Sequence, residues 1–313
     1  MNRRHALGLL TSMATCATNT LAAQASTPHL QQLGPDTYVF PGRNAYADRP
    51  NDGRVVNTGV IVGTTGVLVV DPGPHIRAGT MLATAIRNEL GRPVVGVINT
   101  HAAPEYVLGN AAFADLPIYA SAATRQLMSS RCSACLQRLT TLLGQRAMRG
   151  TTIVLPNHTL EAGDGLQIQG AMVDIRVFEQ AHSVGDLALF VPGSRTVFGG
   201  ALAYRNRIPD MREASVYGWL RAIGELERWP VRWFAGAGFG TPRQTLQATR
   251  HYLETLERLI AAQIRRGGEL ADLQPPGQQP WTRWTGFLHQ HPLNVQRVWR
   301  EIEELWWQGT LPT

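Results

Sequence analysis

Short apolar runs alternate with amphipathic segments along the chain, and Gly and Pro residues separate them. Runs this short and this rich in Val, Ile, Leu and Phe are typical of strands buried in a layered protein. The predicted strands are 37–40, 57–62, 66–71, 94–99, 117–120, 151–155, 166–168, 173–178, 187–191, 196–198 and 231–235.

The amphipathic segments carry apolar residues at a period of about 3.6, which predicts helices. These helices are 77–90, 122–143, 215–229, 244–266 and 293–307. Strand pairs alternate with single helices at both ends of the series. This order predicts two sheets packed together with helices outside, a four-layer αββα sandwich of the α/β class over residues 26–243.

The last part of the chain, residues 244–313, differs from the rest because it combines two long helices with most of the tryptophans. Five of the eight tryptophans lie in it: Trp281, Trp284, Trp299, Trp306 and Trp307. Aromatic stripes on helices usually face a core. We expect a C-terminal helical extension packed on the sandwich, with a homodimer contact as the alternative.

The net charge of +6 is carried by arginine alone, since all 29 basic residues are Arg and the chain has no Lys. A nucleic-acid surface normally clusters its basic residues on one face. Here they are scattered singly among acids, so we expect no nucleic-acid partner. The compositional bias is attributed to the source genome.

The first 25 residues have the features of a signal peptide. Arg3 and Arg4 precede a stretch from Ala6 to Ala23 that is uncharged and mainly apolar, with some Ser and Thr residues. Ala23-Gln-Ala25 then offers a cleavage site. The paired arginines favour twin-arginine export, with Sec export as the alternative. No segment is long and apolar enough to span a bilayer. We therefore expect an exported, periplasmic protein; Cys16 receives no role.

Cys132 and Cys135 form a Cys-x-x-Cys pair inside the helical segment 122–143. A redox pair, half of a zinc site and a local disulfide are the alternatives. No second pair exists to complete a four-thiolate zinc site. In an oxidising compartment, a structural disulfide is the prediction we prefer.

The strand 94–99 leads into His101-Ala-Ala-Pro-Glu-Tyr-Val-Leu-Gly-Asn110. This stretch resembles the loop His-x-His-x-Asp-His-x-x-Gly-Asn of the metallo-β-lactamase superfamily. Further landmarks follow in the order of that family, and together they cover residues 57–242. They are Val69-Val-Asp71-Pro-Gly, Ala181-His182-Ser-Val-Gly-Asp-Leu187, Val197-Phe-Gly-Gly-Ala201-Leu and Ala237-Gly-Phe239-Gly.

More narrowly, the chain resembles the quinoprotein relay system zinc metallohydrolases, exported members of that superfamily. Three segments carry this likeness: Arg207-Ile-Pro209, Gly218-Trp-Leu220 and His291-Pro-Leu-Asn-Val-Gln-Arg-Val298. The resemblance implies a site for two zinc ions, which lower the pKa of a bound water to about 7 and so supply hydroxide.

The residues that the family uses as zinc ligands are mostly replaced. The first and third histidines correspond to His101 and His182. The loop aspartate is Glu105. The other positions hold side chains that coordinate zinc poorly or not at all: Ala103, Tyr106, Ala201 and Phe239.

We therefore expect no dinuclear site, and either no cofactor or a single weakly bound zinc. The predicted function is a non-hydrolytic binding or accessory protein of a periplasmic quinoprotein or sulfur oxidation system, with a small ligand or a partner protein. We expect the ligand cleft to be lined by His75, Tyr106, Tyr204, Arg207 and Phe239.

Two enzyme hypotheses remain open. One is a metal-dependent hydrolase of an ester, thioester or lactam, with one metal held by His101, His182 and Glu105, where Glu105 is the candidate catalytic residue. The other is a redox protein that works through Cys132 and Cys135, and the sequence favours it least.

Overall fold

The computed structural model describes residues 29–273 and 277–312. The predicted signal peptide, with Cys16, lies outside the described residues. Within them, two mixed sheets pack face to face and helices cover both outer faces. The predicted αββα sandwich is confirmed.

The first sheet has seven strands in the order of the sequence. They are β1 (Gln31–Gly34), β2 (Thr37–Phe40), β3 (Thr58–Val62), β4 (Val67–Val70), β5 (Val94–Ile98), β6 (Ile118–Ala120) and β7 (His158–Thr159). Strands β1 to β4 are antiparallel, and β4 to β7 are parallel. The carboxyl ends of β4 and β5 therefore lie side by side at one edge.

The second sheet has six strands in the order β13-β12-β11-β10-β9-β8. They are β8 (Gly163–Ile168), β9 (Ala171–Gln180), β10 (Val184–Val191), β11 (Thr196–Phe198), β12 (Trp233–Ala235) and β13 (Phe239–Gly240). All neighbours are antiparallel except β11 and β12, which are parallel. The hairpin between β9 and β10 and the turn after β11 point to the same region as the end of β5.

Seven α-helices cover the sheets in the described part of the chain. They are α1 (Ile76–Leu90), α2 (Pro104–Val107), α3 (Ala122–Leu143), α4 (Gln145–Met148), α5 (Val216–Leu226), α6 (Leu246–Arg265) and α7 (Phe287–Trp307). Helix α1 packs Leu82 and Ile86 on the outer face of the first sheet. Helices α5, α6 and α7 share one core with the second sheet, in which Trp219 and Trp281 are fully buried.

A separate apolar layer fills the space between the two sheets. Ile61, Leu68 and Ile98 of the first sheet contact a cluster that includes Val173 and Leu189 of the second. Every one of these side chains is buried. Burial of this apolar surface is the main stabilising contribution to a sandwich of this kind.

One predicted strand is wrong. Residues 151–155 form no strand; instead Val154 and Leu155 pack against two different core clusters. The Thr151 hydroxyl accepts a hydrogen bond from the Ile76 backbone at the start of α1. This apolar run is irregular because Val154 and Leu155 are partly buried by side-chain packing alone, without a neighbouring strand, while Ile153 is exposed.

The C-terminal helices pack on the sandwich as expected. Helix α7 begins at Phe287, earlier than predicted, with Pro292 inside its first turns. In the described residues, no helix is long and apolar enough to cross a membrane.

Candidate functional site: a cleft at the end of β4 and β5

Asp71 organises the loop that follows β5. It accepts a hydrogen bond from the Thr100 backbone N–H at 2.8 Å and another from the Thr100 hydroxyl at 2.7 Å. This pairing is possible because β4 and β5 are adjacent and parallel. Burial raises the pKa of Asp71 to about 7, and the two Thr100 bonds oppose that shift. Asp71 thus has the structural task of fixing the position of the loop.

His101 is held by the same threonine, since its Nδ1 lies 3.0 Å from the Thr100 hydroxyl oxygen. When the hydroxyl donates to the Asp71 carboxylate, it accepts from His101 Nδ1–H, and the hydrogen-bond network assigns this tautomer. Nε2 then carries a lone pair. That atom is buried and has no hydrogen-bond partner among the residues that the structure describes. Burial lowers the pKa of His101 well below its ordinary value, so the ring is neutral.

His182 faces His101 from the hairpin between β9 and β10. Asp186 fixes this hairpin by accepting bonds from the Ser183 backbone at 2.7 Å and the Ser183 hydroxyl at 2.5 Å. The Nδ1 atom of His182 is buried without a partner, and burial lowers the pKa of the ring to about 4. Trp219 packs against its other side, with ring centroids 5.3 Å apart.

The two histidines line a cavity of about 250 Å³. Glu105, Tyr106, Tyr204 and Arg207 line the same cavity. The lining also includes apolar residues and three more arginines. We define this space as the cleft cavity.

His75 does not line the cleft cavity, which corrects one prediction. It is fully buried at the start of α1, where its Nδ1 accepts a hydrogen bond from the Ala78 N–H at 3.0 Å. Its Nε2 lies 3.0 Å from the carbonyl oxygen of Asp52. His75 is therefore a helix cap, and such a side chain satisfies one of the free N–H groups at a helix N-terminus.

Phe239 is the second correction. It lies in β13, its ring is 6.0 Å from that of Trp233, and it packs against the cluster between the sheets. The neighbouring Ala237 lies beside the turn that contains Ala201, because its N–H donates to the Gly200 carbonyl at 2.7 Å. Two Gly-x-Gly patterns overlap here, one with Ala237 and one with Phe239 at the central position. The structure places the first of them, with Ala237, next to the cleft.

The residues of the cleft do not fit a zinc ion. Across residues 29–273 and 277–312, no three His, Cys, Asp or Glu side chains are grouped so that they could hold a metal. Glu105 lies in α2, and its carboxylate pairs with Arg138 at 3.4 Å. The structure therefore does not bring His101, His182 and Glu105 together as one donor set. Ala103 and Ala201 have no donor atom at the positions that would complete it.

Tyr106 occupies space beside His101 that a ligand histidine would need. Its ring centroid is 4.3 Å from that of His101, in an edge-to-face arrangement. Burial raises the pKa of Tyr106 well above its ordinary value, so the phenol stays protonated and remains a hydrogen-bond donor.

Arg207 is buried in the wall of the cleft cavity, with an exposed fraction of 4%. Its guanidinium donates to the carbonyl oxygens of Ala45 and Ala237. Its Nε atom is buried and has no hydrogen-bond partner within residues 29–273 and 277–312. The rings of Tyr46 and Tyr204 lie 5.5 Å and 5.2 Å from it, close enough for cation–π contact.

Cys132 and Cys135 are free thiols on α3, so the predicted disulfide is absent from the structure. A helix keeps β-carbons three positions apart at about 5–6 Å, whereas a disulfide needs about 3.5–4.5 Å. Burial raises the pKa of Cys132 to about 12, which leaves little thiolate for redox chemistry. Cys135 lines the cleft cavity.

Several cleft residues were not predicted from the sequence. Tyr46 comes from the polar segment before β3, and the pair Asp210 and Arg212 comes from the loop before α5. No motif marks them. Their place in the lining of the cavity depends on how these loops fold, which the sequence pattern does not show.

Comparison with known proteins agrees with this fold. Residues 51–261 match the family model described as the metallo-beta-lactamase superfamily. A metallo-beta-lactamase from Pontibacter korlensis is 15% identical, with a TM-score of 0.56 over 72% of this chain and 99% of that one. The DIM-1 metallo-beta-lactamase is 17% identical, with a TM-score of 0.54 over 73% and 97%. At these identities the structural likeness concerns the fold alone.

Proposed function

The chain belongs to the metallo-β-lactamase superfamily, and from that premise we propose that it binds a small ligand in the family's cleft without hydrolysing it. The fold has kept the loop, the anchoring aspartate and two histidines. It has lost the set of donors that would hold zinc.

The observation that carries this proposal is the state of His101 and His182. Each has a buried nitrogen with no partner, and no third His, Cys, Asp or Glu of the described residues joins them. Leaving a buried polar atom unpaired costs about 1–3 kcal/mol. A ligand that supplies hydrogen bonds to these nitrogens would recover that free energy on binding.

A hydrolase with a single metal is the alternative, and it requires Glu105 to leave its ion pair with Arg138 and to turn towards the histidines. That pair is at the edge of the cavity, with the carboxylate about one-fifth exposed. Breaking it costs little because pairs this exposed contribute at most about 1 kcal/mol. What opposes the alternative is that Glu105 lies with Arg138 and, among the described residues, forms no donor group with the two histidines.

We further propose that the mature protein acts in the periplasm, as an accessory of a quinoprotein or sulfur oxidation system. The support for this location is the paired Arg3-Arg4 and the apolar stretch after them. The support for the system is the likeness of Arg207-Ile-Pro209 and the other two segments to the quinoprotein relay metallohydrolases.

A reporter enzyme fused after Ala25 tests export: replacement of Arg3 and Arg4 by Lys should retain the fusion in the cytoplasm if export is by the twin-arginine route.

The catalytic part of the proposal is tested by assaying hydrolysis of a chromogenic lactam, a thioester and an aryl ester with zinc added. We expect no hydrolysis above that of the double variant His101→Ala, His182→Ala. Zinc-dependent turnover by the wild type that the double variant lacks would contradict the proposal. If Glu105→Gln also abolished that turnover, the single-metal hydrolase would replace it.

A further inference from the structure

The charges that line the cleft cavity do not balance one another. Three carboxylates line it, and each forms an ion pair with a different arginine. The pairs are Glu105 with Arg138, Glu213 with Arg131, and Asp210 with Arg212. Among the described residues of the cavity, Arg207 is the arginine that forms no pair with a carboxylate.

Arg207 is also the most deeply buried of these arginines. The side chains of Arg131, Arg138 and Arg212 are about half exposed or more, with exposed fractions of 53%, 48% and 60%. Arg207 is 4% exposed as a residue. A buried guanidinium without a counter-ion has lost part of its hydration with no opposite charge to offset the loss, so it favours binding of an anion.

The hydrogen-bonding capacity of Arg207 is only partly used. The carbonyl oxygens of Ala45 and Ala237 take one N–H each, and Nε has no acceptor. The ring of Tyr204 lies 5.2 Å from the guanidinium, and Tyr106 lines the same cavity. The charge of Arg207 opposes the rise that burial causes in the pKa of both phenols. One cation and two neutral phenols thus converge in the same wall of the cavity.

Arg207 needs a hydrogen-bond acceptor from a ligand, whereas His101 needs a hydrogen-bond donor. With Nδ1–H donated to Thr100, its buried Nε2 can only accept a hydrogen bond. Tyr106 lies between these two requirements, because its ring contacts His101 and it lines the same cavity as Arg207. A matching ligand therefore needs an anionic group at one end and a hydrogen-bond donor at the other.

We propose that the cleft cavity binds a small hydroxy-carboxylate, with the carboxylate at Arg207 and the phenols of Tyr106 and Tyr204 and the hydroxyl at His101 Nε2. This assignment rests on the non-hydrolytic binding function proposed above. A carboxylate fits better than a phosphate because one unpaired cation matches one negative charge and the guanidinium fork matches a carboxylate. The volume of about 250 Å³ restricts the ligand to a small molecule.

Binding of two matched sets of compounds tests the proposal. The sets are lactate, propionate and lactamide, and mandelate, phenylacetate and mandelamide. They are titrated into the full mature chain by calorimetry at constant ionic strength. In each set the hydroxy-acid should bind about tenfold more tightly than the compound without the hydroxyl, and at least about tenfold more tightly than the amide.

Three variants assign the preference to residues. Arg207→Gln should remove the preference for the acid over the amide. Arg243→Gln removes the same charge from an exposed position outside the cavity and should leave that preference unchanged. His101→Phe should remove only the preference for the hydroxyl. If Arg207→Gln does not fold, Arg207→Lys should still weaken acid binding, because lysine keeps the charge and loses the fork.

Amides that bind as well as the acids, an Arg207→Gln variant that responds like the wild type, or no response to any hydroxy-acid would overturn the ligand class. Tighter binding of inorganic phosphate than of lactate would overturn the carboxylate assignment. Neither result affects the absence of hydrolysis, so failure of this inference and failure of the proposed function are distinguishable: the latter appears as zinc-dependent turnover.

Discussion

The rings of His101 and His182 meet edge to face, with centroids 5.2 Å apart and planes at 88°. Two histidines that share a metal would each point a nitrogen at a common third position with further donors around it. Here the neighbours are Tyr106 on one side and Trp219 on the other. The pair is therefore packed as part of an aromatic cluster, and both rings are neutral.

The neutral state of His182 predicts a pH dependence of stability. Its pKa is about 4 when folded against 6.5 ordinarily, because burial disfavours the charged ring. Between these values the unfolded chain binds a proton that the folded chain does not. Stability contributed by the neutral ring is therefore present above pH 6.5 and lost as the pH falls towards 4, up to roughly 3 kcal/mol.

Urea unfolding of the wild type and of His182→Gln at several pH values measures this effect. The loss of stability between pH 6.5 and 4 should be smaller in the variant. Asp71 and Asp186, whose pKa values are raised to about 7 by burial, act in the opposite direction in both proteins. The control His289→Gln replaces an exposed histidine of α7 and should behave as the wild type. If the free energy of unfolding of His182→Gln depends on pH in the same way as that of the wild type, the claim that the buried ring is neutral is contradicted.

Thr100 predicts a second effect because one hydroxyl serves both Asp71 and His101. Thr100→Val keeps the shape and leaves a buried carboxylate oxygen without its donor, which should destabilise the fold by about 1–3 kcal/mol. Thr80→Val removes an exposed hydroxyl that bonds only to its own helix and should cost less than about 0.5 kcal/mol. Equal unfolding midpoints for the two variants would show that the hydrogen bond from Thr100 to Asp71 does not contribute to stability.

Gly200 is expected to be intolerant of any side chain. Its φ is +49°, and a β-carbon there would lie 2.1 Å from the Thr100 hydroxyl oxygen and 2.9 Å from His101 Nδ1. Gly91, at the end of α1, also has a positive φ of +64° but open space around it. Gly91→Ala should cost about 1 kcal/mol from backbone strain, and Gly200→Ala about 3 kcal/mol or more from strain and overlap.

Thermal unfolding of these two glycine variants provides the measurement. A Gly200→Ala variant as stable as Gly91→Ala would mean that Thr100 and His101 are free to move aside. The cleft would then be less rigid than the hydrogen bonds to Asp71 imply.

Glu301 predicts how α7 is attached to the sandwich. Its carboxylate accepts bonds from the Ser215 hydroxyl at 2.6 Å and the Val216 N–H at 3.0 Å, at the start of α5. Glu301→Ala should lower the free energy of unfolding by about 1–3 kcal/mol, because both donors lose a charged acceptor. Glu304→Ala, on an exposed part of the same helix, is the matched control. Limited proteolysis of the C-terminal helices should accelerate in the first variant alone.

Periodicity and turn residues were sufficient to predict the fold. The strand 37–40, the strand 196–198 and the helix 122–143 coincide with β2, β11 and α3. The prediction of a strand at 151–155 was wrong because Val154 and Leu155 are partly buried by side-chain packing. Hydrophobic periodicity cannot distinguish such packing from the pairing of a strand in a sheet. Strands β1 and β13 were missed because their residues lack a continuous apolar run.

The site could be predicted only where a motif stands next to a strand end. His101 and His182 lie on loops that follow predicted strands, and the resemblance to the metallo-β-lactamase superfamily implied that the two histidines meet. The predicted roles of His75 and Phe239 were wrong. His75 caps a helix, and the two overlapping Gly-x-Gly patterns differ by two residues; both outcomes depend on backbone geometry that the sequence pattern does not show. The three ion pairs that leave Arg207 unpaired involve residues from three separate loops and helices, which no local pattern reveals.

The affinity of the metal-free mature protein for zinc tests the central claim most directly, since that claim is the loss of the donor set. Titration against a zinc-selective chromophoric chelator should show only weak, substoichiometric binding that is the same in the wild type and in the double variant His101→Ala, His182→Ala. Tight binding of one or two zinc ions per chain that disappears in the double variant would contradict the account.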